Sequence, residues 1–159
     1  MSRFDVHLAD DAATEALGAR LALALKEDAG GVVYLNGTLG AGKTTLARGW
    51  LRALGVNGSI RSPTYTLIEP YTLDNGRELL HLDLYRLKTP DELDGLGLDD
   101  YSPARCWWLV EWPECGVGRL PPARLIVDLR ADGEGRMASI DALAFGAALE
   151  KAVRALPAT

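Results

Sequence analysis

A glycine-rich run is the segment whose residue types and spacing are best suited to chemistry. Residues 37–44 read GTLGAGKT and fit the pattern G-x-x-x-x-G-K-[ST] in full. In this pattern glycines let backbone N–H groups wrap around phosphate oxygens, the lysine (Lys43) reaches the β- and γ-phosphates, and the next hydroxyl (Thr44) binds Mg²⁺. The residues predicted to bind a nucleotide through the loop are Gly37, Gly40, Ala41, Gly42, Lys43, Thr44 and Thr45.

The segments on either side of this run have the character that a phosphate-binding loop requires. The β-branched run GVVYLN at residues 31–36 predicts a buried strand. Residues 44–54 predict a helix, whose N-terminus adds about half a unit of positive charge beside the phosphates. A glycine-rich turn without a ligand is the alternative. The sequence has no N-K-x-D or T-K-x-D segment, the usual guanine reader of GTPases, which favours ATP over GTP.

Two carboxylates are candidates for the Mg²⁺ side of the loop. Glu111 follows the apolar run CWWLV at residues 106–110, so a predicted strand delivers it to the sheet edge where open α/β folds bind ligands. Asp83 lies in the run HLDLYR, where alternation places His81, Asp83 and Tyr85 on one face. Asp83 would bind Mg²⁺ through water or orient an attacking water. The alternative for Glu111 is a solvated glutamate at a strand end. The alternative for Asp83 is a residue of an ordinary half-buried strand with no role in Mg²⁺ binding.

A threonine and a tryptophan close to these carboxylates are further candidates. Thr64 lies in the run SPT, at the place between helix and hairpin where a loop threonine senses the γ-phosphate and Mg²⁺ in nucleotide switches. Its spacing alone favours a plain turn. Trp112 directly follows Glu111 and precedes a proline, so it is expected to pack near the nucleotide or a partner. His7 and His81 lack metal-ligand spacing and are interpreted as structural residues.

Local patterns predict the elements that position these residues. The turn signals Asp-Asn-Gly at 74–76 and Asp-Gly at 132–133 predict two antiparallel hairpins. The predicted strands cover residues 4–8, 31–36, 64–72, 78–86, 106–110, 124–130 and 136–142. The predicted helices run from Asp10 or Asp11 to near Asp28, over residues 44–54, from Thr89 onward, and from Leu143 to Leu156. We therefore expect one α/β domain over residues 1–159 with a mixed sheet.

Composition limits the classes of partner and compartment. The 159 residues include 17 Lys and Arg against 22 Asp and Glu, a net charge of −5. This acidic balance argues against a strong direct grip on nucleic acid, because a phosphate-binding face normally shows as a basic excess. Cys106 and Cys115 have neither zinc nor disulfide-framework spacing and suit a reducing compartment. No signal-peptide or membrane-helix pattern is present, so a cytoplasmic protein is expected.

Four motifs occur in an order that resembles the TsaE family (also called YjeE), bacterial ATPases of tRNA threonylcarbamoyladenosine synthesis. They are the glycine-rich run, SPTYTL at residues 62–67, HLDLYR at 81–86 and EWPE at 111–114. The stretch that carries them covers residues 34–114 of the 159. Each later motif is weak alone, whereas the ordered set is specific. Outside this stretch the resemblance rests on the order of the elements.

The resemblance implies a P-loop NTPase-like three-layer fold whose mixed central sheet has a parallel core and antiparallel hairpins. It implies that Thr44 and Glu111 hold Mg²⁺, that Asp83 is needed for hydrolysis, and that Thr64 lies in a switch-like loop. Whether Asp83 or Glu111 orients the attacking water stays open. The residues that it places around the adenine are Asp11 and Arg136.

The family also implies partners. Its members are weak ATPases alone that act with the TsaD and TsaB proteins, so we expect a Mg²⁺-dependent ATPase stimulated by that complex, with tRNA contacted only through it. No arginine finger is identifiable, and a partner would supply or position the missing group. Two alternatives are a small-molecule P-loop kinase and a nucleotide-dependent adaptor that does not hydrolyse. A kinase usually carries an arginine-rich lid, whereas residues 89–101 are acidic.

Overall fold

Seven strands and three α-helices make up the part of the chain that the computed structural model describes, residues 3–143 and 146–155. The strands are β1 (Arg3–Leu8), β2 (Gly31–Asn36), β3 (Ile68–Thr72), β4 (Glu78–Asp83), β5 (Trp107–Glu111), β6 (Leu125–Asp132) and β7 (Gly135–Asp141). The helices are α1 (Asp11–Ala24), α2 (Lys43–Ala53) and α3 (Gly146–Ala155). Short 3₁₀ helices cover Pro90–Gly95, Leu98–Asp100 and Pro113–Gly116. No helix in these ranges is long and apolar enough to cross a membrane.

All seven strands form one sheet in the order β1-β7-β6-β2-β5-β4-β3. The central strands are parallel, since β2 pairs with β5 and β6, and β4 pairs with β5. The outer pairs β1–β7, β6–β7 and β3–β4 are antiparallel. The predicted α/β fold with a parallel core and antiparallel hairpins is therefore confirmed. Because β2, β4 and β5 run in one direction, their carboxyl ends meet at the same edge of the sheet.

Each face of the sheet carries its own apolar core, which makes the sheet the middle of three layers. On one face α1, α2 and α3 contribute Leu17, Trp50 and Leu149. On the other face Trp108 packs in a cluster with Leu93 of the first 3₁₀ helix. The outer layer on that side is built of 3₁₀ helices and loops. The three tryptophans predicted to be core residues are buried, namely Trp50, Trp107 and Trp108.

Helix α2 is held closely against α1 at two glycines. A Cβ atom added to Gly18 of α1 would lie 2.1 Å from the carbonyl oxygen of Leu46. One added to Gly49 of α2 would lie 1.9 Å from the carbonyl oxygen of Glu15. Such distances are far inside van der Waals contact, so only glycine permits this approach of the two backbones. The crossing fixes the position of α2 relative to the rest of the molecule.

Two strand ends lie three or more residues from their predicted positions, whereas the other strand ends agree within two residues. β3 begins at Ile68, later than predicted, because Leu67 has a φ of 70° and donates its N–H to the Pro63 carbonyl in a turn. β4 ends at Asp83, earlier than predicted, because the Asp83 carboxylate accepts the backbone N–H of Tyr85 at 3.0 Å and turns the chain. Tyr85 therefore leaves the alternating pattern of the strand and is 49% exposed.

Three helical predictions also need correction. α1 ends at Ala24, before Asp28, because the Asp28 N–H donates to the Leu25 carbonyl in a separate turn. The helix start predicted at Thr89 is a 3₁₀ helix rather than an α-helix. Leu143 lies in a turn with a φ of 56°, and α3 begins after it. The predicted helical positions 144, 145 and 156 lie outside the described residues.

Candidate functional site

The glycine-rich loop, residues 37–42, joins the end of β2 to the start of α2, as the sequence predicts. Gly40 and Gly42 have φ angles of 77° and 108°, in the left-handed region that side chains disfavour. A Cβ atom on Gly42 would also lie 2.8 Å from the guanidinium of Arg136. The first N–H groups of a helix have no partners within it and favour an anion. The loop and the start of α2 together thus form a surface suited to phosphate.

Lys43, the first residue of α2, lies inside this surface and is 5% exposed. Its ammonium group donates to the carbonyl oxygens of Gly37 at 2.5 Å and Thr38 at 3.3 Å. It also lies 3.5 Å from the centre of a Trp112 ring, a cation–π contact. These contacts fix the Lys43 ammonium, which is the one charged side-chain group in residues 37–43.

Burial is the largest influence on the ionisation of Lys43. It lowers the pKa of the ammonium from its ordinary value of 10.5, because the charged form is poorly solvated there. The carboxylates of Glu111, Glu114 and Asp83 act in the opposite direction. An anionic group bound beside the ammonium would favour the charged form in the same way.

Glu111, the last residue of β5, is the first carboxylate of the site. Both of its oxygens lie 3.0 Å from the hydroxyl of Thr44, which donates to them. Its Oε2 atom also lies 2.6 Å from Nε2 of His81 on β4. All but 3% of Glu111 is buried. The carboxylate is therefore fixed between the start of α2 and the neighbouring strand.

Asp83 is the second carboxylate and lies directly opposite Glu111 in the parallel β4–β5 pair. Its Oδ2 atom accepts from the hydroxyl groups of Ser62 and of Thr64, the latter at 3.1 Å. Its Oδ1 atom accepts the Tyr85 N–H. Asp83 thus ties the loop before β3 to the end of β4. Thr64 lies in a turn and lines the cleft beside Asp83, and its sensing of a nucleotide stays a prediction.

Trp112 lies on the far side of Lys43 from the loop. Its backbone has a φ of 59°, unusual for a residue other than glycine. Its ring is 4.8 Å from the Tyr85 ring, measured between centres. The two rings form an aromatic wall beside the ammonium of Lys43. Trp112 therefore lines the cleft beside Lys43, and its contact with a nucleotide or a partner stays a prediction.

Asp11 and Arg136 meet beside Gly42 of the loop. The Arg136 guanidinium lies 2.7 Å from the Asp11 carboxylate and donates to the Thr14 hydroxyl at 2.9 Å. Asp11 begins α1, whereas Arg136 lies on β7. The β6–β7 hairpin therefore reaches the same edge as the loop.

These groups surround an open cleft of about 470 Å³. The described residues that line it are Asp11, Leu39, Gly40, Ala41, Gly42, Lys43, Thr44, Thr45, Ser62, Thr64, Asp83, Tyr85, Arg86, Glu111, Trp112 and Arg136. Gly37 is the one predicted site residue absent from that lining, and its carbonyl instead accepts from Lys43. The structure brings the predicted residues together, while their chemical roles stay predictions.

Sequence reasoning missed four residues that line the cleft, Leu39, Ser62, Tyr85 and Arg86, and one that contacts a lining residue, His81. Ser62 and Arg86 lie within the motifs, but their types and spacing predict no role. Arg86 lies over the Tyr65 ring, 4.5 Å from its centre. The alternating pattern predicts Tyr85 on a strand and gives it no role in the site. His81 was interpreted as structural, although its position two residues before Asp83 places both on one face of β4. That alternation was the available signal.

The oxygen atoms of Thr44 and Glu111 are well placed for Mg²⁺. Within the described residues no group of three or more His, Cys, Asp or Glu side chains could hold a metal. Mg²⁺ in nucleotide sites takes one or two protein oxygens, substrate phosphates and water instead of an all-protein cage. One hydroxyl and one carboxylate beside a phosphate-binding loop therefore fit this ion.

The sequence and the fold match known proteins. A family described as "Threonylcarbamoyl adenosine biosynthesis protein TsaE" matches residues 8–138. A tRNA threonylcarbamoyladenosine biosynthesis protein TsaE from Haemophilus influenzae is 47% identical over 111 residues, 70% of each chain. Its namesake from Rickettsia conorii is 40% identical over 129 residues, 80% of this chain and 71% of that one. The crystal structure of Bacillus subtilis YdiB aligns with a TM-score of 0.75 at 30% identity, over 96% of this chain and 95% of that one. Because the family match spans most of the sequence and these relatives agree with it, the chain belongs to the TsaE family.

Proposed function

We propose that this protein hydrolyses ATP, with Mg²⁺, in the biosynthesis of tRNA threonylcarbamoyladenosine. The pathway is the one that the names of its relatives state. The observation that carries the hydrolysis is the contact of Thr44 with both oxygens of Glu111, at 3.0 Å. A hydroxyl at the start of the helix and a carboxylate at a strand end are the groups that hold the Mg²⁺ of the nucleotide in P-loop ATPases.

Lys43 and the loop amides would bind the phosphates. The ammonium of Lys43 would exchange its contacts with the Gly37 and Thr38 carbonyls for charge-assisted hydrogen bonds to the β- and γ-phosphates. Bound Mg²⁺, held by Thr44 and Glu111, would neutralise charge on the phosphate oxygens. Phosphoryl transfer depends mainly on such positioning and electrostatic stabilisation.

Asp83 is the better candidate for orienting the attacking water. Both oxygens of Glu111 are taken up by Thr44 and His81 on the Mg²⁺ side. Asp83 lies outside the Thr44–Glu111 contact and accepts from the Tyr85 N–H and from the hydroxyl groups of Ser62 and Thr64, which also line the cleft. The two carboxylates are therefore expected to divide the work, with Glu111 at the metal and Asp83 at the water.

The Asp11–Arg136 pair would lie at the adenine end. Both residues line the cleft beyond Gly42, and Arg136 is fixed by Asp11 and Thr14. A guanidinium held flat in this way can stack on a base. The pair thus accounts for an adenine site without a guanine-reading motif.

A complex of TsaB and TsaD proteins is the proposed partner. The net charge of −5 favours contact with proteins first and with tRNA only through them. Of the two described arginines in the cleft lining, Arg136 is engaged by Asp11 and Arg86 by the Tyr65 ring. An arginine finger contributes about 10³–10⁵ in rate. If a partner supplies or positions this arginine, the isolated protein is expected to hydrolyse ATP slowly. We place this activity in the cytoplasm.

The test is MgATP hydrolysis by the purified protein, alone and with TsaB and TsaD from the same source. Slow turnover that rises with the partners and is lost in Glu111→Ala is expected. Glu134→Ala is the matched control, because Glu134 is exposed in the β6–β7 turn. Turnover that folded, active partners leave unchanged would refute the proposed partnership. Phosphate transfer to an added metabolite would favour a kinase, and nucleotide binding with no turnover under any condition would favour an adaptor.

A further inference from the structure

His81 is a fully buried imidazole that the proposed mechanism does not use. It lies in β4 with 0% exposure, among apolar residues of the sheet. Its Nε2 atom lies 2.6 Å from Oε2 of Glu111. Its Nδ1 atom is buried and has no hydrogen-bond partner among the described residues. Buried polar groups are nearly always hydrogen-bonded, so the contact with Glu111 is the one that satisfies this ring.

The direction of this hydrogen bond follows from the chemistry of the two groups. An ionised carboxylate only accepts, so His81 Nε2 must carry the proton that it shares with Glu111. A neutral imidazole has one N–H group, so Nδ1 is then a bare lone pair. The opposite tautomer would face a bare nitrogen towards the carboxylate and leave an N–H donor buried without an acceptor.

We infer that His81 is a positioning residue that donates Nε2–H to Glu111 and holds this carboxylate towards Thr44. The inference rests on the proposed function in so far as Thr44 and Glu111 bind Mg²⁺. A glutamate at a strand end can rotate about several side-chain bonds, and Thr44 constrains it from one side only. Carboxylates that ligate metals are commonly oriented by such outer partners, and loss of the partner typically weakens metal binding about 10–100-fold.

Asp83 does not share this support. Its oxygens accept from Ser62, Thr64 and the Tyr85 N–H. Loss of the His81 donor should therefore disturb Glu111 and leave the hydrogen bonds of Asp83 in place. This difference separates a positioning role from a general loss of packing.

The first experiment reads the proton directly. The sequence contains two histidines, so His7→Gln leaves His81 as the only imidazole. His7 is half exposed, 3.7 Å from Asp132, and lies outside the site. The ¹⁵N chemical shifts of the ring in the ligand-free protein distinguish a protonated Nε2 from a bare one. A protonated Nε2 is expected, and a bare Nε2 would overturn the inference whether or not the protein is an ATPase.

The second experiment measures Mg²⁺ binding with a matched pair of variants. In His81→Gln the amide N–H can replace Nε2–H, whereas His81→Leu has no donor. Calorimetric titration with ADP at increasing Mg²⁺ should show about 10–100-fold weaker Mg²⁺ binding for the leucine variant and recovery in the glutamine variant. ADP binding without Mg²⁺ should be the same in both.

Equal Mg²⁺ affinity in the two variants, each folded by thermal unfolding, would overturn the inference. If the leucine variant does not fold, the ¹⁵N shifts of the imidazole decide it. If the wild type binds no ADP at all, the proposed function fails, and the tautomer result still stands by itself.

Discussion

Replacement of Asp83 by asparagine separates the structural role of this carboxylate from its proposed role in hydrolysis. Asp83 is 4% exposed and accepts three hydrogen bonds, from Ser62, Thr64 and the Tyr85 N–H. Asparagine has the same shape and keeps one oxygen. Its NH₂ group can donate to the two hydroxyls, which are free to rotate and accept. The pattern of hydrogen bonds can therefore survive, while the negative charge is lost.

The expected loss of stability follows from these bonds. Hydrogen bonds to a charged group contribute about 1.5–3 kcal/mol, and neutral ones about 0.5–1.5 kcal/mol. Because the three bonds share one charge and two of them share one oxygen, they are not additive, and loss of the charge should lower the free energy of unfolding by about 2 kcal/mol for Asp83→Asn. Asp83→Ala removes every acceptor and should cost about 4 kcal/mol. For a chain of this size each kcal/mol lowers Tm by about 2–4 °C, so Asp83→Asn should melt about 4–8 °C lower.

The effect on catalysis should be much larger than the effect on binding. An amide cannot accept the proton of an attacking water, and loss of a general base costs about 10²–10⁴ in rate. Hydrolysis by the TsaB–TsaD-stimulated Asp83→Asn protein should fall by that factor. MgADP affinity should change little, since Lys43, Thr44 and Glu111 are intact. Urea unfolding, calorimetry and phosphate release measure the three quantities.

Two results would refute this reasoning. Turnover of Asp83→Asn within about tenfold of wild type would exclude Asp83 as the water-orienting group. An alanine variant no less stable than the asparagine variant would show that the three hydrogen bonds do not stabilise the fold as argued. Asp99→Asn is the matched control, because Asp99 is exposed in a 3₁₀ helix and its replacement should change stability by less than about 0.5 kcal/mol.

Three further outcomes are expected. Lys43→Met should weaken MgADP binding about 10–100-fold, because it removes charge-assisted hydrogen bonds to phosphate, and an unchanged Kd in calorimetry would contradict this. Burial lowers the pKa of Lys43 below 10.5, so between the lowered pKa and 10.5 the unfolded chain binds more protons at this site than the folded protein. The free energy of unfolding of the wild type should therefore rise relative to that of Lys43→Met as pH increases through that range. Urea unfolding at several pH values measures this difference, and a difference that does not change with pH would contradict the argument. Gly18→Ala should destabilise the protein by about 3 kcal/mol, since the new Cβ would lie 2.1 Å from the Leu46 carbonyl oxygen. Gly95→Ala, with open space around its Cβ, is the control and should melt close to wild type.

Much of the fold could be predicted because its signals are local. The apolar run at residues 31–36 coincides with β2, and the glycines after it produce the predicted strand–loop–helix order. The turn residues at 132–133 lie at the tip of the β6–β7 hairpin. Such features depend on neighbours in sequence, which are visible without a structure.

The ends of the first hairpin could not be predicted in the same way. The run from Thr64 has β-forming residues, yet Leu67 adopts a left-handed conformation. The run to Arg86 alternates, yet the carboxylate of Asp83 captures the Tyr85 N–H and ends the strand. Side chains that bond to nearby backbone compete with extended structure, and tertiary contacts decide the outcome.

Contacts between distant residues were also beyond local patterns. Arg136 meets Asp11 only because β7 lies beside β1, which precedes α1. The sequence predicts His81 as a structural residue because it lacks metal-ligand spacing, and local patterns do not show its contact with Glu111. In the structure β4 lies between two other strands and His81 is fully buried. The sheet order, rather than the composition of the strand, determines that burial.

The same alternation that builds the core also assembles the site. Leu79 of β4 and Leu109 of β5 belong to the core on the α2 side of the sheet. Asp83 and Glu111 follow them at even spacing, so both carboxylates face that side, where Thr44 begins the helix. A shift of β4 by one residue would turn Asp83 to the opposite face and expose Leu79 to the wrong core. Any shift that displaces a carboxylate would also move leucines out of their core. The burial of apolar side chains that fixes the register of the strands therefore also fixes the geometry of the cleft.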